Sequence, residues 1–248
     1  MTELVSSAAF AASKIISNSA LTVKRSHLGE IVAAMLGYRT LAALKIEETD
    51  PSLDRHLGEA EMLVLNGALA MERTEGLLDA LTFAQRAIVV QACSQALTNA
   101  ADVPVYRDVS EFYDAYARDA LSEAIASSDE VAGGMADTNA SFVADPEVPD
   151  EVPPTDDLWA ARTEWTIAIN ATMTGEYDPE GDRPFTGNTL NCYAKLSFAK
   201  AGRAGLVFAE SEAYGGVDDS WREQDRQNED AYWEAERLKD QGDFDAAV

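Results

Sequence analysis

The spacing of apolar residues changes once along this chain, and that change limits what it can fold into. Up to about residue 125 the period is helical. Leu4, Phe10, Ile15 and Ile16 predict a first helix closing near Asn18, and a second runs from Ser26 to Leu36, with Gly37 placed to end it in the left-handed conformation. Thr40 can cap a short third helix through Leu41, Leu44 and Ile46, which gives a compact helix-turn-helix-like unit. From residue 165 the period becomes two. Trp165, Ile167, Ile169, Ala171 and Met173 alternate with Thr166, Ala168, Asn170, Thr172 and Thr174, the pattern of a half-buried strand. Leu190, Cys192, Ala194, Leu196 and Phe198 alternate equally well beyond the turn-rich stretch 175–187, so the two strands are expected to pair antiparallel.

Between these regions the elements are less uniform. The run from Glu61 to Asn66-Gly67 reads as a short buried strand, with a continuous helix as the competing reading. Residues 68–100 return to helical spacing. Thr82 and Gln85 form a capping box there, opening a nearly all-round apolar helix through Ile88, Val90 and Leu97 that is expected at the centre of the core. A further helix starts at Ser110 and carries Phe112, Tyr113, Tyr116, Ala117, Ala120, Leu121, Ala124 and Ile125 on one face, with Asp114 and Arg118 able to pair on the other. A third strand is expected over 206–209.

These readings give an α+β protein. Residues 1–127 form a mainly helical N-terminal part with the helix-turn-helix-like unit, and 158–215 an antiparallel β-sheet region. Residues 128–157 read as an acidic, mobile Pro/Gly linker, because they hold nine acids, no Lys or Arg, Gly133-Gly134 and four prolines. Residues 216–248 read as an acidic helix and tail, opened by a capping box from Ser220 to Glu223.

Charge bears on partners. The 248 residues carry 44 acids against 19 Lys and Arg, a net charge of −25, which repels nucleic acid phosphates and anionic membranes and favours basic partners. No positive cluster precedes an apolar run at the start, and no stretch reaches the roughly 18 apolar residues of a membrane span, so neither export nor membrane insertion is expected. Cys93 and Cys192 each lie in an apolar element. They read as two buried free thiols suited to a reducing cytoplasm, a single disulfide being the alternative.

Catalytic and cofactor motifs are scarce. His27 and His56 read as surface or capping residues, and the cysteines lack the spacing of a zinc site. Asp178, Glu180 and Asp182 alternate like the start of a calcium loop. Arg183 stands where that loop requires glycine, however, and Thr189 where it requires glutamate, so the stretch reads as a solvated hairpin loop. No phosphate-cradling glycine motif occurs, and no cofactor or metal is expected. Residues 23–45 are the one basic region, with Lys24, Arg25, Arg39 and Lys45 against Glu30. A DNA-reading helix there would offer only Thr40 and Lys45 to base edges, which favours plain helix packing. The C-terminal stretch interleaves Trp221, Tyr232 and Trp233 with Glu223, Asp225, Glu229 and Asp230. This composition suits a basic, partly apolar protein surface, and these seven residues are the candidate partner-binding set.

Three segments also resemble a family. His27–Leu44, Val105–Asp114 and Gly175–Gly187 are similar to accessory proteins of bacterial plasmids and conjugative elements. Within that setting the size, acidity and two-part layout resemble an anti-CRISPR protein directed at type I-F surveillance complexes. That resemblance implies a cytoplasmic, non-enzymatic inhibitor that binds Cas subunits, whose basic RNA-binding surfaces attract an acidic protein. The alternatives are a DNA-associated accessory or regulatory protein using residues 23–45, and a metal-dependent hydrolase using Asp178, Glu180 and Asp182.

Overall fold

The computed structural model describes residues 2–19, 21–177 and 187–220, together with Tyr232. Among them no helix is long and apolar enough to cross a membrane. The architecture is mixed helix and sheet, and the chain divides into two compact units. The first comprises Met1–Ala124, Val148–Ile169 and Ala194–Glu212; the second comprises Ile125–Glu147, Asn170–Tyr193 and Ala213–Val248.

In the first unit, helices α1 (Thr2–Ser17), α2 (Arg25–Met35), α4 (Gly67–Leu77) and α5 (Phe83–Ala100) pack together, α1 against α2 and α5, and α2 against α4 and α5. Three capping signals read from the sequence are met. Gly37 ends α2 with φ +85°, and the Thr40 hydroxyl accepts from Ala43 N at 3.1 Å to start α3 (Leu41–Glu48). Thr82 and Gln85 close a capping box on α5. The buried face of α5 is Val89, Ala92, Cys93, Ala96 and Leu97, while Ile88 is 42% exposed. The helix is therefore one-sided, and not apolar all round as its composition suggests.

Strand β1 (Met62–Val64) leads through α4 and α5 to β2 (Val105–Tyr106), which lies parallel to it, so β1-α4-α5-β2 is a crossover unit. On its other edge β1 pairs antiparallel with β7 (Gly205–Val217), and the five-stranded order is β2-β1-β7-β6-β4. Strands β4 (Glu164–Thr174) and β6 (Thr189–Ala201) pair as expected. Lys200 N donates to Thr163 O at 2.9 Å, and Gly175 N to Asn188 O at 2.7 Å. Trp165, Ile167, Ile169, Leu190, Cys192 and Leu196 are all buried, as the alternation requires. The third strand is real but runs well beyond 206–209.

Helices α6 (Val109–Phe112) and α7 (Arg118–Ala126) are joined through a π-helical stretch, Tyr113–Ala117. The wider turn shifts the side chains around the axis. Arg118 consequently pairs with Asp150 at 2.8 Å, and not with Asp114 four residues earlier. The apolar face persists: Phe112 packs edge-on against Trp165 and Phe198 at 5.9 and 5.6 Å between centroids.

The second unit takes in residues 128–147 of the stretch read from sequence as an acidic Pro/Gly linker, and there they carry regular structure. Ser128 caps α8 (Asp129–Ala136) and donates its hydroxyl to Ala213 O at 2.7 Å. Ala140 and Ser141 form β3, antiparallel to β5 (Glu176–Tyr177), and Glu147 bridges to Thr172. The glycines serve close packing here. A Cβ on Gly134 would stand 3.2 Å from Gly215 O, and one on Gly215 would stand 3.1 Å from Cys192 Sγ. Cys93 and Cys192 are buried free thiols.

Gly202 makes the β6–β7 turn at φ +62°, where a Cβ would lie 2.7 Å from Tyr38 Oη. Gly202→Ala is expected to destabilise the fold by about 2 kcal/mol, from left-handed strain plus the clash. Gly76→Ala, a site with nothing within 4 Å of the new methyl, should stabilise by about 0.5–1 kcal/mol through helix propensity. Chemical denaturation of the two variants checks both signs.

Candidate functional site

Where β1 and β2 end, the chain turns into helices on both sides. Beyond β1, Asn66 N donates to Met35 O at 2.7 Å, and the Asn66 side chain accepts from Leu69 N at 2.8 Å, which caps α4. Beyond β2, Asp108 accepts from Glu111 N at 2.8 Å and caps α6. Parallel strands that diverge into helices leave a crevice outside their carboxyl ends. In this molecule that crevice is a cleft of about 680 Å³, within the range of small-ligand and peptide sites.

The cleft has an apolar floor and a polar wall. Met35, Leu65, Met71, Val90 and Val105 form the floor. Gln91, Ser94, Gln95, Thr98 and Asn99 form the wall, and their spacing places them along one side of α5. Arg107 and Glu111 also line it, paired Nε to Oε1 at 3.0 Å. Hydrogen bonds from Arg107 hold the Glu111 carboxyl below its ordinary range. Glu111 is therefore a fixed carboxylate, suited to accepting hydrogen bonds and poorly suited to lifting a proton. The lining offers amide and hydroxyl donors and acceptors with no net charge, which equips it to recognise a polar chain bearing an apolar group.

A second polar cluster joins α2 and α3 to the β6–β7 turn. Tyr38 donates its hydroxyl to Glu47 Oε1 at 2.7 Å and accepts from Arg203 N at 3.3 Å. Arg203 Nε and Arg162 Nη1 stand 3.3 and 3.6 Å from Glu47 Oε2. Burial first, and then the Glu47 carboxylate, push the Tyr38 pKa up. Lys200 is only 4% exposed and donates to Arg203 O at 2.7 Å. Burial pulls its pKa down to about 7, against the weaker upward pull of Asp157 and Glu47. Such an amine can act as a base in an open site. Here it is enclosed, so the cluster reads as a clamp on the fold.

Of the partner-binding residues expected from sequence, Trp221, Glu223, Asp225, Glu229, Asp230 and Trp233 lie outside the described residues. Tyr232 is described and exposed. The Asp178, Glu180 and Asp182 loop also lies outside, and among the described residues no group of three or more metal-ligating side chains occurs. In the helix-turn-helix-like unit, Thr40 is engaged as a cap, and α3 turns Lys45 and Ile46 outward, the latter 71% exposed. His56 stands at the N-cap of a short 3₁₀ turn, Leu57–Glu59, but its side chain makes no cap; only its backbone N is engaged, donating to Glu59 Oε2 at 2.7 Å, so the capping role read from sequence is not met. Sequence reasoning missed the cleft wall. Its signal was present as polar positions 91, 94, 95, 98 and 99, a stripe at helical spacing on a helix whose other side is apolar.

The Lys200 amine gives a pH test. Between its folded pKa near 7 and its unfolded value near 10.4, the unfolded chain binds the extra proton, so stability rises with pH across that window. Denaturation at about pH 7.5 and about pH 8.5 should show the wild type gaining on Lys200→Met by about 1 kcal/mol. Parallel behaviour would mean the amine stays charged when folded. Cys93, pushed up to about 12 by burial, opposes the trend only above the ordinary thiol range. No family model, curated protein or solved structure matches the chain.

Proposed function

We propose that this chain is a binding protein that inhibits a basic, nucleic-acid-binding protein partner by occupying it, with the β1–β2 cleft as the specific contact and the acidic surface as the attraction. The observation that carries this reading is the cleft lining. It combines an apolar floor with a row of amides and hydroxyls, and its carboxylate is tied to Arg107, an arrangement that supports recognition over acid-base chemistry.

Charge supplies the second half. With a net −25, encounter with a cationic partner is faster than with a neutral one, and the effect falls as salt rises. Residues 128–157 contribute −9 and 210–248 another −9, whereas 158–209 are neutral, so the field is uneven along the chain. On the family resemblance described above, the partner is a Cas subunit of a type I-F surveillance complex, and the chain is an anti-CRISPR inhibitor carried by a mobile element.

Binding of the full chain to a purified type I-F complex tests the reading. Ser94→Trp fills the cleft and should weaken association by about tenfold or more, with unfolding unchanged and Ser94→Ala close to wild type. Association that ignores Ser94→Trp, or none at all, overturns it. A chain lacking residues 218–248 should associate more slowly at low salt and lose part of its salt dependence, with dissociation changed only if Trp221 and Trp233 are anchors. Stopped-flow rates at two ionic strengths separate these outcomes.

A further inference from the structure

The basic region at residues 23–45 has no part in the β1–β2 cleft, yet it borders a cleft of its own, about 430 Å³, between α1, α2 and α3. Val5, Ala9 and Leu41 make its apolar side, and Arg25, Ser26 and Lys45 its polar side. No acidic residue lines it. That is unusual in a chain where acids outnumber bases more than two to one. Elsewhere Arg73, Arg86, Arg107, Arg118, Lys195 and Arg203 each pair with a carboxylate. Among the described residues Lys24, Arg25 and Lys45 have no such pair, nor do Lys14, Arg39 and Arg55; what sets Arg25 and Lys45 apart is that both line one cleft.

Arg25 is also pre-positioned. Its Nη2 donates to Ser6 O and Ser6 Oγ at 3.1 and 3.2 Å, and the guanidinium lies 5.2 Å from the Phe10 ring centroid. These contacts hold the planar fork and leave its other N–H groups for a ligand. Helix α2 begins at Arg25, and Lys24 at its N-cap gives no side-chain cap. The first-turn amides at Arg25 and Ser26 therefore remain as donors beside the cations, with the positive end of the helix dipole behind them. Two cations in one mouth repel until an anion sits between them.

We propose that this cleft binds a phosphate group, held by the Arg25 guanidinium and the first amides of α2, with Lys45 as the second charge. The chain's global −25 opposes long polyanions, so the ligand is a small phosphate compound or the end of a single strand, and not duplex DNA.

The test is a titration of the ¹⁵N-labelled full chain with sodium phosphate at constant ionic strength. Amide shifts at Arg25, Ser26 and His27 should saturate, and Arg25→Gln and Lys45→Gln should each raise the dissociation constant by about tenfold or more. Lys195→Gln, outside the cleft, should leave it unchanged. Repeating the titration with a nucleoside monophosphate and with a short single-stranded oligonucleotide assigns the source: tighter binding of the first indicates a terminal phosphate, of the second a backbone phosphate. Shifts that never saturate, spread over all cations, or survive in the Arg25→Gln, Lys45→Gln double variant overturn the site.

Discussion

The arrangement of the first unit depends on the three residues of β1. Met62–Val64 are hydrogen-bonded on both edges: Leu63 N to Pro104 O at 2.9 Å on the β2 side, and Glu61 N and Val64 N to Leu206 O and Ala204 O at 3.0 and 2.9 Å on the β7 side. A strand this short can be central because all three side chains are buried and both backbone edges are satisfied. By taking that place it ties the N-terminal helices to a sheet whose long strands, β4, β6 and β7, come from the C-terminal third of the chain. It also fixes where the parallel pair ends, and hence where the crevice beyond it opens.

The polar groups of this unit follow one logic with two results. Around Tyr38, Glu47, Arg203 and Lys200 they are turned toward one another, with Tyr38 and Lys200 buried and Glu47 and Arg203 partly so; removing one partner would leave a buried donor or acceptor unsatisfied. Along α5 the amides and hydroxyls at 91, 94, 95, 98 and 99 line an open cleft. The first arrangement holds elements in place. The second keeps hydrogen-bonding capacity available to another molecule, which is why the binding reading rests on α5.

Much of the fold was legible in the sequence because its signals were local. Gly37, Thr40 and the Thr82–Gln85 box state their conformations through side-chain chemistry a few residues away, and the alternation in β4 and β6 assigns a buried face to each. What escaped depended on distant partners. Gly133-Gly134 looked like a flexible linker, yet Gly134 is small because Gly215 O lies against it. The Asp114–Arg118 spacing assumed a regular helix, and the π-helical stretch at Tyr113–Ala117 broke it. The extra length of β7 depends on β6 alongside it and not on its own sequence, which is glycine-rich and polar beyond Phe208. The cleft was invisible for a related reason: its wall was written in the α5 periodicity, but apart from Val90 its floor comes from Met35, Leu65, Met71 and Val105, on four other segments.

On the proposed function, the polar wall of α5 is a contact surface. Amide hydrogen exchange of the full chain, alone and bound to its protein partner, measures this directly, because exchange reports protection segment by segment. Binding at the cleft should add protection across residues 91–99 and 105–111. Protection confined to other segments, with exchange along α5 unchanged, would contradict it.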